Sequence, residues 1–264
     1  MTTLSLGTCQ AQNSEAVCRS LAGWLSDRLG ITIRYEDGMN WQARYAALDS
    51  GMLDICWICG LPYVWRSSRP APNIELLAAP VALGARYGGR PVYFSDVIVR
   101  ADSPYRTFAD LQGARWGFNE PGSWSGYGVL CYHLATLGHT LDTFGRVVET
   151  GAHQESIRRV LAGEIDTAAV DSTVLELEIE RDPSLAAALR VVETLGPSPQ
   201  PPWVIGTHVP PELRRAIRGA LLGMHADAHG RQILAAGRVV CFVPITDAYY
   251  DAIRQMASVA GLSG

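Results

Sequence analysis

The sequence predicts an α/β fold in two lobes, with the chain crossing between them twice. Three observations lead there. Strand and helix patterns alternate regularly, the alternation comes in two successive sets, and the Pro-rich segment Gly196-Pro197-Ser198-Pro199-Gln200-Pro201-Pro202 precedes a last group of helices. Regular βα alternation builds mostly parallel sheets. A chain of 264 residues has room for two lobes of about 100–150 residues each. The expected division puts residues 1–97 and 203–264 in lobe 1 and residues 98–202 in lobe 2. Ligands of such folds sit beyond the carboxyl ends of strands, so the expected site is the cleft between lobes.

In the first set, Leu4-Ser5-Leu6 is a short strand. Asn13 or Ser14 can cap a helix with Val17, Leu21, Trp24, Leu25 and Leu29 on one face, and Gly30 closes it. Residues 31–35 are a β-branched strand, 41–50 a helix ending at Gly51, and 53–58 and 74–79 further strands. Residues 92–100 form a long strand.

The second set opens on a capping-box variant, Thr107-Phe108-Ala109-Asp110, with Asp in place of Glu or Gln. A strand over 114–118 and a helix over 125–137 follow, with Val129, Leu130, Leu134 and Leu137 as its buried stripe. Then come a strand (146–149), a helix (153–162) with Ile157, Val160 and Leu161 inward, a strand (165–170), a helix (173–181) and a strand (190–194). The Pro-rich cluster cannot lie in a helix interior or a central strand and reads as a connection between lobes. After it come a strand over 203–207 and helices over 211–224, with Pro at its start, 227–236 and 246–259.

Composition narrows the function. Hydrophobic residues at 48% and charged residues at 18% give a sizeable core and exclude disorder. A net charge of −4 draws the chain to neither nucleic acid nor anionic membrane. All 22 basic residues are Arg. The absence of Lys excludes a Schiff-base lysine and a P-loop. No apolar run approaches the ~20 residues of a membrane helix. Residues 1–7 lack the charged and apolar regions of a signal peptide, so either the protein stays in the cytosol or an export signal has been removed. The six cysteines are scattered; Cys56 and Cys59 have CxxC spacing but lie in or beside an apolar strand and read as small buried hydrophobes. His225 and His229, at helical spacing, read as solvated, and no metal or cofactor is expected.

Three positions carry chemistry. In Phe118-Asn119-Glu120-Pro121-Gly122-Ser123-Trp124-Ser125-Gly126-Tyr127, a strand end, a Pro-Gly turn and a helix start come together. Backbone N–H groups and the positive end of the helix dipole converge there, with Ser123 and Ser125 as added donors. A ligand oxyanion is one occupant; plain N-capping by a serine is the alternative. His153 opens the next helix, as a neutral ligand partner or a local cap. Asp171 ends a strand, either accepting a hydrogen bond from a protonated ligand oxygen or ammonium, or capping the helix that follows. No catalytic triad, HExxH or GxGxxG is present, and no catalytic residue is assigned.

These segments resemble a family. Phe108-Ala109-Asp110-Leu111-Gln112-Gly113 and Pro121-Gly122-Ser123-Trp124-Ser125-Gly126 are similar to the phosphonate/phosphite substrate-binding proteins of ABC importers. So are Gly151-Ala152-His153-Gln154-Glu155-Ser156, the run from Leu161 to Ser172, and Ala46-Ala47-Leu48-Asp49-Ser50-Gly51-Met52-Leu53-Asp54-Ile55. The resemblance implies a type II periplasmic binding fold, two α/β lobes closing on an anion. It implies that Ser123, Ser125 and the helix amides through Gly126 bind ligand oxygens, that Tyr93 is a ligand-binding tyrosine, and that His153 and Asp171 hold the anion and its proton. Two positions depart from the family pattern. Trp124 stands where a hydroxyl residue is usual, and Trp41 where tyrosine is favoured. Both trade hydrogen bonds for bulk, so Trp41, Trp57, Trp124 and Trp203 can line a flatter, more apolar pocket.

The resemblance implies a solute-binding protein that captures a small, phosphonate-like organic anion for an ABC permease. It implies a periplasmic monomer without cofactor, metal or nucleic-acid partner. A cytosolic lyase or biosynthetic enzyme on the same scaffold and a sensory ligand-binding module are the alternatives.

Overall fold

A computed structural model describes residues 2–263. The chain divides into two compact units. Unit 1 comprises the residues up to Gln10, Ser14–Val92 and Pro199–Asp251; unit 2 comprises Ala11–Asn13, Tyr93–Ser198 and the residues from Ala252 on.

Unit 1 opens with β1 (Thr3–Thr8), α1 (Glu15–Leu29), β2 (Thr32–Tyr35), α2 (Trp41–Asp49), β3 (Ile55–Trp57), α3 (Gly60–Ser67) and β4 (Ile74–Ala82). Gly30 ends α1 in the left-handed region at φ 64°, as a glycine cap does. Sequence reading does not anticipate α3. Its residues from Gly60 to Val64 are all buried, so it lacks the polar stripe by which a surface helix announces itself.

Unit 2 carries β5 (Val92–Arg100), β6 (Arg115–Phe118), α4 (Val129–Thr136), β7 (Arg146–Glu149), α5 (His153–Leu161), β8 (Thr167–Asp171), α6 (Ser172–Arg181), α7 (Leu185–Ala188) and β9 (Leu189–Pro199). The Thr107/Asp110 capping box forms with both of its reciprocal bonds. The chain then returns to unit 1 as β10 (Trp203–Gly206), α8 (Pro211–Gly223), α9 (Ala228–Ala236) and β11 (Val239–Val243). A 3₁₀ turn, Asp247–Tyr250, leads into α10 (Asp251–Val259), so the helix expected over 246–259 is regular only in its second part.

The first sheet has the order β11-β4-β10-β3-β1-β2, the second β7-β6-β8-β5-β9. Pairs β1–β2, β1–β3, β6–β7 and β6–β8 are parallel. The expectation of mostly parallel sheets needs correction, because β10 runs antiparallel to both β3 and β4, β11 to β4, and β5 to β8. These are the strands on which the chain leaves or re-enters a unit, where no βαβ crossover sets the direction.

The Pro-rich cluster is a second correction. Its first residues belong to β9, which includes a cis Gly196–Pro197 peptide. The strand lies at the edge of its sheet, where a proline without an N–H breaks no ladder. The chain changes unit at Ser198/Pro199, inside the cluster, and at Val92/Tyr93, at the start of β5. The residues from Ala252 on, expected with lobe 1, group with unit 2; Leu262 lies beside Gly128 there.

The core of unit 1 joins Leu6, Ile33 and Ile55 of the sheet to Leu21 and Leu25 of α1, Ile217 and Leu221 of α8, and Ile233 and Leu234 of α9. That of unit 2 joins Ile98, Ala168 and Val170 to Ile157 and Val160 of α5 and Val174 and Leu175 of α6. Each such aliphatic side chain contributes roughly 1.5–3 kcal/mol on burial. His225 lies in the turn Met224–Ala226 and His229 in α9, so the two share no helix.

Asp227 Oδ1 caps α9 through the Gly230 N–H (2.6 Å) and also accepts the Trp24 indole N–H of α1 (2.9 Å). Replacing Asp227 by Ala removes the cap and leaves a part-buried indole donor unpaired. The expected loss is about 1–3 kcal/mol in urea unfolding, and a change under 0.5 kcal/mol contradicts this account.

Candidate functional site

The topology of unit 2 carries the carboxyl ends of β6, β7 and β8 and the start of antiparallel β5 to one edge of its sheet. The residues with chemistry to offer stand there, on the chain that leaves those strands. Ser123, in extended backbone, is the cap of the next helix, and its Oγ accepts from the Gly126 N–H (3.0 Å). The helix opens as a π turn over Trp124–Gly128, with the Gly128 N–H on the Ser123 carbonyl (2.9 Å), before continuing as α4. A regular helix over 125–137 was expected. π turns in helices are frequent at functional sites.

The opening depends on close approach. A Cβ on Gly126 would lie 1.8 Å from Asn119 Oδ1 and 3.2 Å from His153 Cε1. A Cβ on Gly128 would lie 2.6 Å from the Trp124 ring. Neither glycine is needed for a positive φ; both are needed for space.

Ser125 Oγ and His153 Nε2 are 3.2 Å apart and buried. The Ser125 carbonyl accepts the Ser95 hydroxyl of β5, and Ser95 pairs in register with Asp171 of β8. A polar line thus runs from Ser95 through Ser125 to His153. Thr150 holds the start of α5, donating to the Phe118 carbonyl (2.9 Å) and meeting Ser156 Oγ at 2.7 Å. His153 Nδ1 and Asn119 Oδ1 are buried without a protein partner. Sequence reading quotes Asn119 in its motif without giving it a role, and misses Ser95 altogether. The only sign of Ser95 is its place in the polar pair Ser95-Asp96 within a largely apolar strand.

Asp171 Oδ1 accepts the Thr173 N–H (2.8 Å) and the Thr173 hydroxyl (2.7 Å), so the capping alternative is realised. Trp124 lies at the first position of the helix opening. It is fully buried and its indole N–H donates to Ser198 Oγ (2.8 Å), which anchors the helix opening to β9. Trp57 stacks on Trp203 in unit 1 at 5.6 Å and 13° and donates to the Pro201 carbonyl. Tyr93 is buried near the start of β5. Trp41 opens α2 in unit 1, edge-on to Tyr45 at 6.2 Å.

Burial sets the charges. It lowers His153 to about 4, so the imidazole is neutral at pH 7. It raises Asp171 to about 6 against the opposing bonds from Thr173. It raises Glu120 to about 8, helped by the charge of Glu149. The donors at this edge are hydroxyls, amides and a neutral ring, an arrangement that holds an oxyanion through dipoles. Among the described residues, no group of three or more His, Cys, Asp or Glu side chains is placed to hold a metal ion.

Two α/β units with this element order have the type II periplasmic binding fold. The chain belongs to the family described as ABC transporter, phosphonate, periplasmic substrate-binding protein, whose model matches residues 8–250. It is similar to the binding protein component of an ABC phosphonate transporter from Pseudomonas aeruginosa, with 20% identity and a TM-score of 0.87, over 98% of this chain and 86% of that one. It is similar to PhnD1 from Prochlorococcus marinus, solved in complex with methylphosphonate, with 19% identity and a TM-score of 0.86 over 98% of each chain. The aliphatic sulphonate binding protein SsuA from Escherichia coli shares the fold at 16% identity and a TM-score of 0.66, over 98% of this chain and 86% of that one.

Gly126→Ala pushes a methyl into Asn119 and His153, and overpacking of this kind costs roughly 1–3 kcal/mol. The variant is expected to unfold at lower urea than the parent; an unchanged midpoint contradicts the close packing. The buried titratable groups act on stability in opposite senses. The His153 imidazole binds its proton near pH 6.5 when unfolded and only near 4 when folded, so it subtracts stability as pH falls across that window. The Glu120 carboxyl gains its proton more readily folded than unfolded, so its contribution is lost as pH rises from 4.5 through about 8. Glu120→Gln should therefore gain about 1–3 kcal/mol on the parent at pH 8 relative to pH 4.5. Parallel urea curves at the two pH values test this, and an equal difference at both contradicts it.

Proposed function

We propose that this protein captures a small organic oxyanion of the phosphonate type and delivers it to an ABC permease, acting as a periplasmic monomer. Membership of the family supports the transport role. The observation that carries the ligand class is the pairing of Ser125 with neutral His153 on a helix opening capped by Ser123. In this reading the amides of the opening and the two serine hydroxyls donate to the ligand oxygens. His153 offers its ring without adding charge, and Asp171, near its pKa at mildly acidic pH, accepts the ligand's remaining proton. Tyr93, in the same unit, contacts the ligand.

Binding at a hundred times Kd stabilises a protein by about 2.7 kcal/mol, roughly 5–10 °C in Tm for a chain of this size. Methylphosphonate or phosphite is expected to give such a shift and a calorimetric heat. Ser125→Ala, which removes a hydrogen bond to a charged ligand, should weaken binding roughly 10- to 100-fold. Phosphorus NMR of the mixture should show the ligand unchanged after prolonged incubation, whereas turnover would favour an enzyme on this scaffold. Silence toward phosphonates, phosphite and sulphonates alike would overturn the ligand class.

A further inference from the structure

The cysteines take no part in the site above, yet two of them meet. Cys9 Sγ and Cys56 Sγ lie 3.7 Å apart in buried surroundings. Cys9 directly follows β1, with its N–H on the Trp57 carbonyl (2.8 Å), and Cys56 is the central residue of β3. The two strands are parallel neighbours, with Gly7 opposite Cys56 and Thr8 opposite Trp57. Residues two apart on a strand face the same side, so Cys9 shares the face of Gly7 and hence of Cys56. Gly7, the residue opposite Cys56, has no side chain to stand between them. The contact therefore runs between strands, and not along the CxxC spacing of Cys56 and Cys59 that the sequence offers.

The two thiols are unequal. Cys56 is fully buried, whereas Cys9 keeps 9% of its surface. The Arg44 guanidinium donates to the carbonyl of Thr8, one residue before Cys9. Closing 3.7 Å to an S–S bond of about 2.05 Å asks for about 1.7 Å of sulfur movement, within the compass of side-chain rotation and a small strand shift.

We propose that Cys9 and Cys56 are a modification site that closes to an intramolecular disulfide, joining β1 to β3, when the protein meets a disulfide oxidant. With oxidised glutathione, the Cys9 thiolate attacks one glutathione sulfur and releases one glutathione. The Cys56 thiolate, its proton passed to solvent, then attacks the Cys9 sulfur and releases the second. Two cysteine thiols are oxidised to one disulfide, and one glutathione disulfide is reduced to two thiols. Only Cys9 has to reach the oxidant, since the second displacement is internal.

The test uses the full chain with the partly exposed Cys131 and Cys241 replaced by Ser, leaving four cysteines. The folded protein is incubated with oxidised glutathione, and its thiols are counted after unfolding. The count is expected to fall from four to two with a mass loss of about 2 Da, two hydrogens. Cleavage after Glu15, which separates Cys9 from Cys18, should leave the Cys9 peptide linked to the one bearing Cys56. Adding Cys9→Ser or Cys56→Ser should abolish the link, whereas adding Cys59→Ser should leave it. Four surviving thiols, a Cys56–Cys59 link, or a link that persists without Cys9 would each overturn the proposal. Ligand binding is not the readout, so the outcome is independent of the proposed function.

Discussion

The close approach at Gly126 organises unit 2. Asn119 from the end of β6 and His153 from the start of α5 both press on a position where no methyl group fits. Because the helix opening lies against them there, Ser125 faces His153 on one side while its carbonyl takes the Ser95 hydroxyl of β5 on the other. Trp124, turned inward by the same opening, is fixed by Ser198 of β9. One missing side chain thus lets four separately placed segments meet, and the π turn is the backbone geometry that accommodates them.

Burial then decides the electrostatics. A chain in which every cation is Arg had guanidinium groups to spend on an anion site. The described arrangement gathers hydroxyls, amides and an imidazole that burial keeps neutral. The same burial leaves Asp171 near its protonation midpoint at pH 6 and holds Glu120 mostly protonated at neutral pH. Such a set of dipoles and proton-sharing groups discriminates by shape and protonation state more than by net charge. That is the physical sense of the proposed role for a small tetrahedral oxyanion.

The two sheets show where local pattern suffices. The amphipathic face of α1, the capping box at Thr107 and Asp110, and the long strand β5 all follow from periodicity and cap chemistry, and all form as expected. Strand direction does not follow in the same way. β10 and β11 read locally like any apolar strand, and only their partners make them antiparallel. The prolines of β9 are tolerated because that strand has a neighbour on one side alone.

By itself, the sequence determined the α/β class, most helices and strands, and the segments on which the site residues ride. These depend on interactions within a few residues, namely caps, turns and hydrophobic period. Tertiary structure alone decided which groups meet. That Asn119 and Ser95 join Ser125 and His153, that Trp124 points inward, and that Cys9 finds Cys56 across neighbouring strands are all contacts between packed neighbours. Packing density and burial select them, and neither can be read from spacing along the chain.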